Sequence, residues 1–208
     1  RYVTKQVADE IIRNPNAVSL GGKKQMVTVL FSDIRGFTVF SEKYAPEEVV
    51  ARLNEYLSAM VDVIFENEGT LDKFIGDAVM AVFGSPIAHD DDPLRAVKTA
   101  LDMQRRLNGL NEKWTSEGRE PLVIGIGINT GEVIAGNIGD MRRMEYTVIG
   151  DNVNLASHIE GLTKNFNCPI LMSASTYELV KDKVVAKNLG SVSMKGKLRE
   201  VEIYELLS

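Results

Sequence analysis

The order of apolar periodicities along this chain predicts an α+β fold: a ferredoxin-like βαββαβ core followed by additional C-terminal strands and helices. Three observations predict it. An unbroken apolar run, Met26-Val27-Thr28-Val29-Leu30-Phe31, leads into Ser32-Asp33 and reads as a strand buried on both faces. Two long segments with helical apolar spacing follow Pro46 and Asp92-Pro93. Between them, two short β-rich stretches, 70–75 and 78–83, are joined by a tight turn at Gly76-Asp77.

Each element has a local reason. The helix after Pro46 carries Val49, Leu53, Tyr56, Leu57, Met60 and Ile64 as one stripe, and Glu68-Gly69 closes it. The second helix starts with Asp92 as an N-cap acid and Pro93 in the first turn, and its inner stripe is Leu94, Val97, Leu101 and Leu107. The run Asp90-Asp91-Asp92 reads as helix capping rather than a metal cluster, because acids favour the start of a helix. Strands are expected at 122–128, 133–138 and 145–149, a helix over about 152–164, then an apolar Pro169-Ile170-Leu171-Met172 and strands near 183–194 and 201–207. At the front, a short helix over 4–13 ends at Asn14-Pro15-Asn16, and Gly21-Gly22 reads as a flexible joint. Residues 1–24 are therefore expected to be a linker from an upstream regulatory region, and 25–208 the functional domain. The chain begins with Arg1 rather than Met and reads as a piece of a longer protein.

Composition narrows the class. With 208 residues, 44% of them hydrophobic, the chain supports one domain with an ordinary core. A net charge of −5 and a pI near 5.2 argue against a nucleic-acid partner, yet leave room for a small phosphorylated ligand on a local positive field. Cys168 stands alone, so no intrachain disulfide forms. No apolar run approaches the ~18 residues of a membrane span. No membrane contact is expected of this segment, and its setting is expected to be cytoplasmic.

Two acids carry the chemistry. Asp33 ends the buried strand in Phe31-Ser32-Asp33-Ile34-Arg35-Gly36-Phe37-Thr38, and Asp77 sits in the hairpin turn of Phe74-Ile75-Gly76-Asp77. In a split βαβ fold the first strand lies beside this hairpin, so the carboxylates converge. Paired carboxylates on rigid strand ends suit two hard cations such as Mg²⁺, about 3.5–4 Å apart. Asp77 alone would read as an ordinary turn aspartate. Gly36 lies between strand and helix, where the backbone N–H groups of Ile34, Arg35, Gly36, Phe37 and Thr38 can cradle phosphate oxygens. Other candidates have plain local readings. Lys73 is a solvated strand charge, Thr147 a β-former, Lys195 part of a basic hairpin turn and Asn154 a residue at a helix start. His89 reads as a surface residue, Arg142-Arg143 as a solvated turn, and Trp114 and the methionines as core or interface filler.

Taken together, the motifs have a precedent. The segments 31–38, Leu71-Asp72-Lys73-Phe74-Ile75-Gly76-Asp77, Gly127-Ile128-Asn129-Thr130-Gly131, 146–157 and Met194-Lys195-Gly196-Lys197 resemble class III adenylyl and guanylyl cyclase catalytic domains. The likeness spans about residues 26–207 and is strongest to soluble bacterial adenylyl cyclases, the cyanobacterial type among them. It implies conversion of ATP to cyclic AMP and pyrophosphate with two Mg²⁺ or Mn²⁺ ions per site. It also implies a homodimer with two composite active sites. By the resemblance, Asp33, Asp77 and the Ile34 carbonyl hold the metals, Lys73 meets adenine N1, and Thr147 faces the adenine amino group. Asn154 orients the ribose and the reacting phosphate, and Lys195 binds the triphosphate. Lys73, Thr147, Asn154 and Lys195 would come from the subunit opposite the aspartates. Threonine at position 147 further resembles cyclases that respond to bicarbonate.

One position departs from the pattern. The family usually carries an arginine four residues after the asparagine; here it is His158, a shorter side chain without arginine's permanent charge. Alternatives stay open at this point. A guanylyl cyclase would call for an acid at Lys73. A nucleotide-binding, dimerising regulatory module with little turnover draws its support from His158. A diguanylate cyclase or polymerase-palm relative shares the core topology, but its Gly-Gly-Asp/Glu-Glu-Phe signature is absent.

Overall fold

The apolar run becomes strand β1 (Gly21–Ile34) of a computed structural model that describes residues 8, 12, 21–140, 142–193 and 200–208. It is followed by α1 (Phe37–Lys43), α2 (Pro46–Glu66), β2 (Thr70–Ile75), β3 (Ala78–Phe83) and α3 (Asp92–Ser116). The second half holds β4 (Ile124–Asp140), β5 (Arg143–Ile149), α4 (Asp151–Phe166), β6 (Ile170–Ser173), α5 (Ala174–Val180), β7 (Ala186–Ser193) and β8 (Glu200–Leu206).

The sheet runs β2-β3-β1-β4-β6-β8-β7, with β5 paired to β4 alone. Its first four strands are all antiparallel neighbours, the order a split βαβ core requires. β6 then adds in parallel to β4, and β8 and β7 extend the far edge antiparallel.

Alternation along β1 divides the core. Leu30 and Ile34 point to one face and pack with Tyr56, Met60 and Ile64 of α2 and Val97, Met103 and Trp114 of α3. Val27, Val29 and Phe31 point to the other face and pack with Val148 of β5 and Val153 and Ala156 of α4. Burying each such side chain contributes about 1.5–3 kcal/mol, so both layers pin the register of β1. Asp33 is the next residue on the α4 side.

Several expectations are corrected. The strands foreseen at 122–128 and 133–138 are one 17-residue strand. Gly131 does not break it; a Cβ there would collide with the Asn152 side chain, so this glycine serves close packing of α4. Gly21 and Gly22 are strand residues paired opposite Asn137 and Gly136, not a joint. The buried face of α2 is rotated from the foreseen stripe: Val49, Arg52, Tyr56, Met60, Val63 and Ile64 are buried, while Leu53 and Leu57 are half-buried. In α3, Ala96, Val97, Ala100, Met103, Leu107 and Trp114 are the buried apolar residues, with Leu94 and Leu101 beside them. Asp91, not Asp92, holds the N-cap position of α3; the Asp92 carboxylate instead accepts the His89 N–H at 2.8 Å. Apart from Ala8 and Ile12, both helical, the expected 4–13 helix lies outside the described residues.

Candidate active site

The ladder between β1 and β3 ends at Ser32↔Val79, so the next residues of β1 meet the turn that carries Asp77. That turn needs Gly76, whose φ of 64° is costly for residues with a Cβ. Ile34 donates its N–H to Asp77 Oδ2 at 3.2 Å. Burial, and then the adjacent Asp33 carboxyl, push the Asp77 carboxyl up to about 6. Two carboxyls that resist joint ionisation form a site a cation relieves, and their hard oxygens match Mg²⁺ or Mn²⁺. Among the described residues no cluster of three or more His, Cys, Asp or Glu side chains gathers. A pair of carboxylates suffices for Mg²⁺, which usually keeps waters and takes substrate phosphates as further ligands.

Glu160 of α4 is a third acid, one the sequence reading did not single out. It is buried, burial and then the Asp33 charge push its carboxyl up to about 7, and its Oε1 has no hydrogen-bond partner. On sequence it is one more polar residue of an amphipathic helix; only the packing of α4 on β4 places it behind the aspartates.

The 34–38 loop is more occupied than its sequence suggests. The Ile34 N–H is engaged by Asp77, and the Arg35 N–H donates to the Val123 carbonyl at 2.8 Å. The Arg35 guanidinium turns inward, and its Nη2 donates to the carbonyls of Thr163 at 3.1 Å and Cys168 at 2.5 Å. Arg35 thus ties the end of β1 to the end of α4. Gly36 caps α1 in the left-handed region, and Phe37 and Thr38 in the first turn keep N–H groups that no intrahelical carbonyl can take.

A second polar group forms where β5 lies over β2. A bulge in β2 shifts the register between Leu71 and Lys73, so Asp72 and Lys73 both reach toward β5. Thr147 donates its hydroxyl to Asp72 at 2.8–2.9 Å, and Lys73 Nζ lies 2.9 Å from Glu145 and 3.5 Å from Asp72. Burial pushes the Asp72 carboxyl up, against the hydrogen bond from Thr147.

Asn154 and His158 stand one turn apart on α4, the first exposed and the second half-buried. Arg142 is exposed and pairs with Asp140. Lys195 lies outside the described residues. One chain therefore presents an acidic pair, a hydrogen-bonding group between β2 and β5, and an outward helix face. Exposed Phe74, Ile75 and Ile149 lie at the strand ends beside them.

The sequence profile of the adenylate and guanylate cyclase catalytic domain matches residues 21–208. The chain belongs to this cyclase family. The adenylate cyclase of Anabaena cylindrica is 40% identical over 190 residues, which cover 86% of this chain and 36% of that protein. The crystal structure of the adenylyl cyclase CyaB from P. aeruginosa superposes with a TM-score of 0.85 at 39% identity, covering 91% of this chain and 97% of that one. The guanylyl cyclase Cya2 superposes with a TM-score of 0.83 at 43% identity, covering 90% and 94%. This cyclase domain spans about a third of the length of the bacterial adenylate cyclases it matches. Among its described residues no helix is long and apolar enough to cross a membrane.

Proposed function

We propose that this domain converts ATP to 3′,5′-cyclic AMP and pyrophosphate in the cytoplasm, at two composite sites of a homodimer with two divalent cations at each. The Asp33–Asp77 pair carries the reading: two acids brought together at a strand end and a hairpin turn, in a state that favours a bound cation. Asp33, Asp77 and the Ile34 carbonyl would hold the ions. Bound there, divalent cations neutralise the polyphosphate and acidify the ribose 3′-hydroxyl.

The chain's own residues do the positioning. The Phe37 and Thr38 N–H groups meet phosphate oxygens, and Lys195 adds a positive charge. Lys73 donates to adenine N1, Thr147 accepts from the 6-amino group, and Asn154 aligns the ribose. The 3′-hydroxyl gives its proton to solvent as its oxygen bonds to the α-phosphorus in line, the bond from that phosphorus to the bridging oxygen breaks, and pyrophosphate leaves with the electron pair. Positioning and charge stabilisation supply the rate, and no side chain is covalently modified.

The separation of the residue sets supports a dimer. Lys73 lies in β2, four residues before Asp77 of the following turn, and its ammonium turns toward β5. The base group and the ion group of one chain thus serve different sites, and a second copy supplies the complement. Exposed Phe74, Ile75 and Ile149 give that copy an apolar surface to cover. Activity should then rise with protein concentration beyond proportionality.

Because solved neighbours include guanylyl cyclases, the base is tested directly. Incubation with ATP or GTP plus Mg²⁺ or Mn²⁺, with products separated by chromatography, should give cyclic AMP from ATP. Cyclic GMP as the main product, or no cyclic product, overturns the reading. Bicarbonate stimulation belongs to the same reading and is checked at constant pH with chloride as control.

A further inference from the structure

The Thr147 hydroxyl has a fixed sense. Its oxygen lies 2.9 and 2.8 Å from the two carboxylate oxygens of Asp72, whose side chain is 4% exposed. The same carboxylate receives the Val148 N–H and the Lys73 ammonium at 3.5 Å. Neither of these two groups can accept a hydrogen bond. A carboxylate ringed by donors acts as acceptor, so the Thr147 proton points at Asp72. Toward any other group that approaches, Thr147 Oγ1 offers only lone pairs. The bulge in β2 makes this possible, because in a regular strand Asp72 and Lys73 would face opposite sides of the sheet.

We propose that Asp72 is a specificity-determining positioning residue: by holding the Thr147 proton it makes that hydroxyl an obligate acceptor, which selects a purine with a 6-amino group over one with a 6-carbonyl. The inference rests on the reading that Thr147 faces the base. A threonine hydroxyl left to itself rotates and donates to a carbonyl as readily as it accepts from an amine. Held by Asp72, it meets a 6-carbonyl lone pair to lone pair, and a buried polar group left unpaired is what gives a site its discrimination.

The test uses ATP and inosine triphosphate, which carries a carbonyl at position 6. The readout is the ratio of their kcat/KM values; the contribution of Lys73 at N1 is common to all the proteins compared. Asp72→Asn keeps the shape but replaces one of the two oxygens that accept from Thr147 with an amide N–H, loosening the hold on the hydroxyl proton. The ratio should fall about tenfold, the usual worth of one hydrogen bond. Thr147→Val should lower it similarly, and adding Asp72→Asn to Thr147→Val should change it no further. Should Asp72→Asn fail to fold, Asp72→Ala, which leaves Thr147 no side-chain acceptor at that position, provides the comparison. If Thr147→Val lowers the ratio and the Asp72 variants do not, or if the two effects add, the role given to Asp72 is wrong while the base reading stands. An equal loss of kcat/KM for both nucleotides makes Asp72 merely structural. A ratio untouched by Thr147→Val removes the base reading itself.

Discussion

The backbone N–H of Ile34 donates to the carboxylate of Asp77 at 3.2 Å, across a sequence separation of 43 residues. This bond locks the β2–β3 turn to the end of β1, so the acidic pair is set by sheet register and not by a flexible loop. Asp33→Ala or Asp77→Ala should leave the fold intact and reduce cyclisation below about 1% of the parent, a loss of roughly 3 kcal/mol or more in transition-state stabilisation. Turnover above a few per cent in either variant, with circular dichroism unchanged, would remove the metal assignment.

The same pair predicts a pH signature. Folding raises the Asp77 carboxyl from its ordinary value to about 6, so the fold favours its protonated form. The stability this group contributes is present below about pH 4 and is lost as pH rises through about 6. Without metal, the melting temperature should fall across this window relative to Asp77→Asn, which has no such proton to lose. Mn²⁺ should stabilise the parent above pH 6 and have little effect at pH 4.5. Glu160 shifts the metal-free curve in the same direction up to about pH 7, and comparison with Asp77→Asn separates the two. Equal Mn²⁺ stabilisation at both pH values would count against cation binding at Asp77.

Arg35 was foreseen to lend its backbone N–H to a phosphate cradle, but that N–H donates to the Val123 carbonyl, and its guanidinium reaches the Thr163 and Cys168 carbonyls. Hydrogen bonds from a charged donor are worth about 1.5–3 kcal/mol. Arg35→Met should lower unfolding stability by about 2 kcal/mol in urea while changing the KM for ATP little. A large rise in KM with unchanged stability would return Arg35 to the phosphate.

These cases show what could be read from residues alone. The core topology and the acidic pair were legible because they rest on periodicity and on turn chemistry. Lengths of strands were not: the two strands expected at 122–128 and 133–138 are one, and Gly131 between them is a packing contact with Asn152. The buried Arg52 was equally hidden. It is 1% exposed and lies between the rings of Phe40 and Trp114, at 4.8 and 4.6 Å. No helical periodicity assigns a charged residue to a core face. Asp72 and Glu160 acquire meaning only through a bulge and a helix packing that local sequence does not encode. Lys73, Thr147 and Asn154 were singled out by family resemblance, not by their own surroundings.

The separation of base and ion groups predicts complementation. An Asp33→Ala chain lacks the ion pair and a Lys73→Ala chain lacks the base contact, but a heterodimer of the two assembles one intact site. Mixing the inactive variants should restore up to about a quarter of the parent activity, since half the dimers are mixed and each has one good site of two. Heterodimer formation is verified by pull-down of differently tagged chains. No recovery in a mixture shown to exchange would exclude a shared site.

The last prediction concerns His158, half-buried one turn beyond exposed Asn154 on α4. Phosphoryl transfer spreads negative charge over the equatorial oxygens, and a positioned arginine that meets this charge is worth ~10³–10⁵ in rate where it has been measured as a finger. Arginine suits the task because it is always charged and presents a planar fork of donors. A histidine is shorter and offers one N–H toward the site when neutral. The transition state of this domain should therefore be less well stabilised than its ground state allows, giving slow turnover without weak ATP binding. His158→Arg should raise kcat at least about tenfold and leave KM within about twofold, the pattern of an interaction made mainly in the transition state. His158→Ala should lower kcat only slightly, because little is being contributed now. Initial rates from pH 6 to 9 for all three proteins decide the matter. If His158→Arg leaves kcat unchanged or lower across that range while His158→Ala abolishes it, the imidazole itself is the contact, and the comparison with an arginine fails.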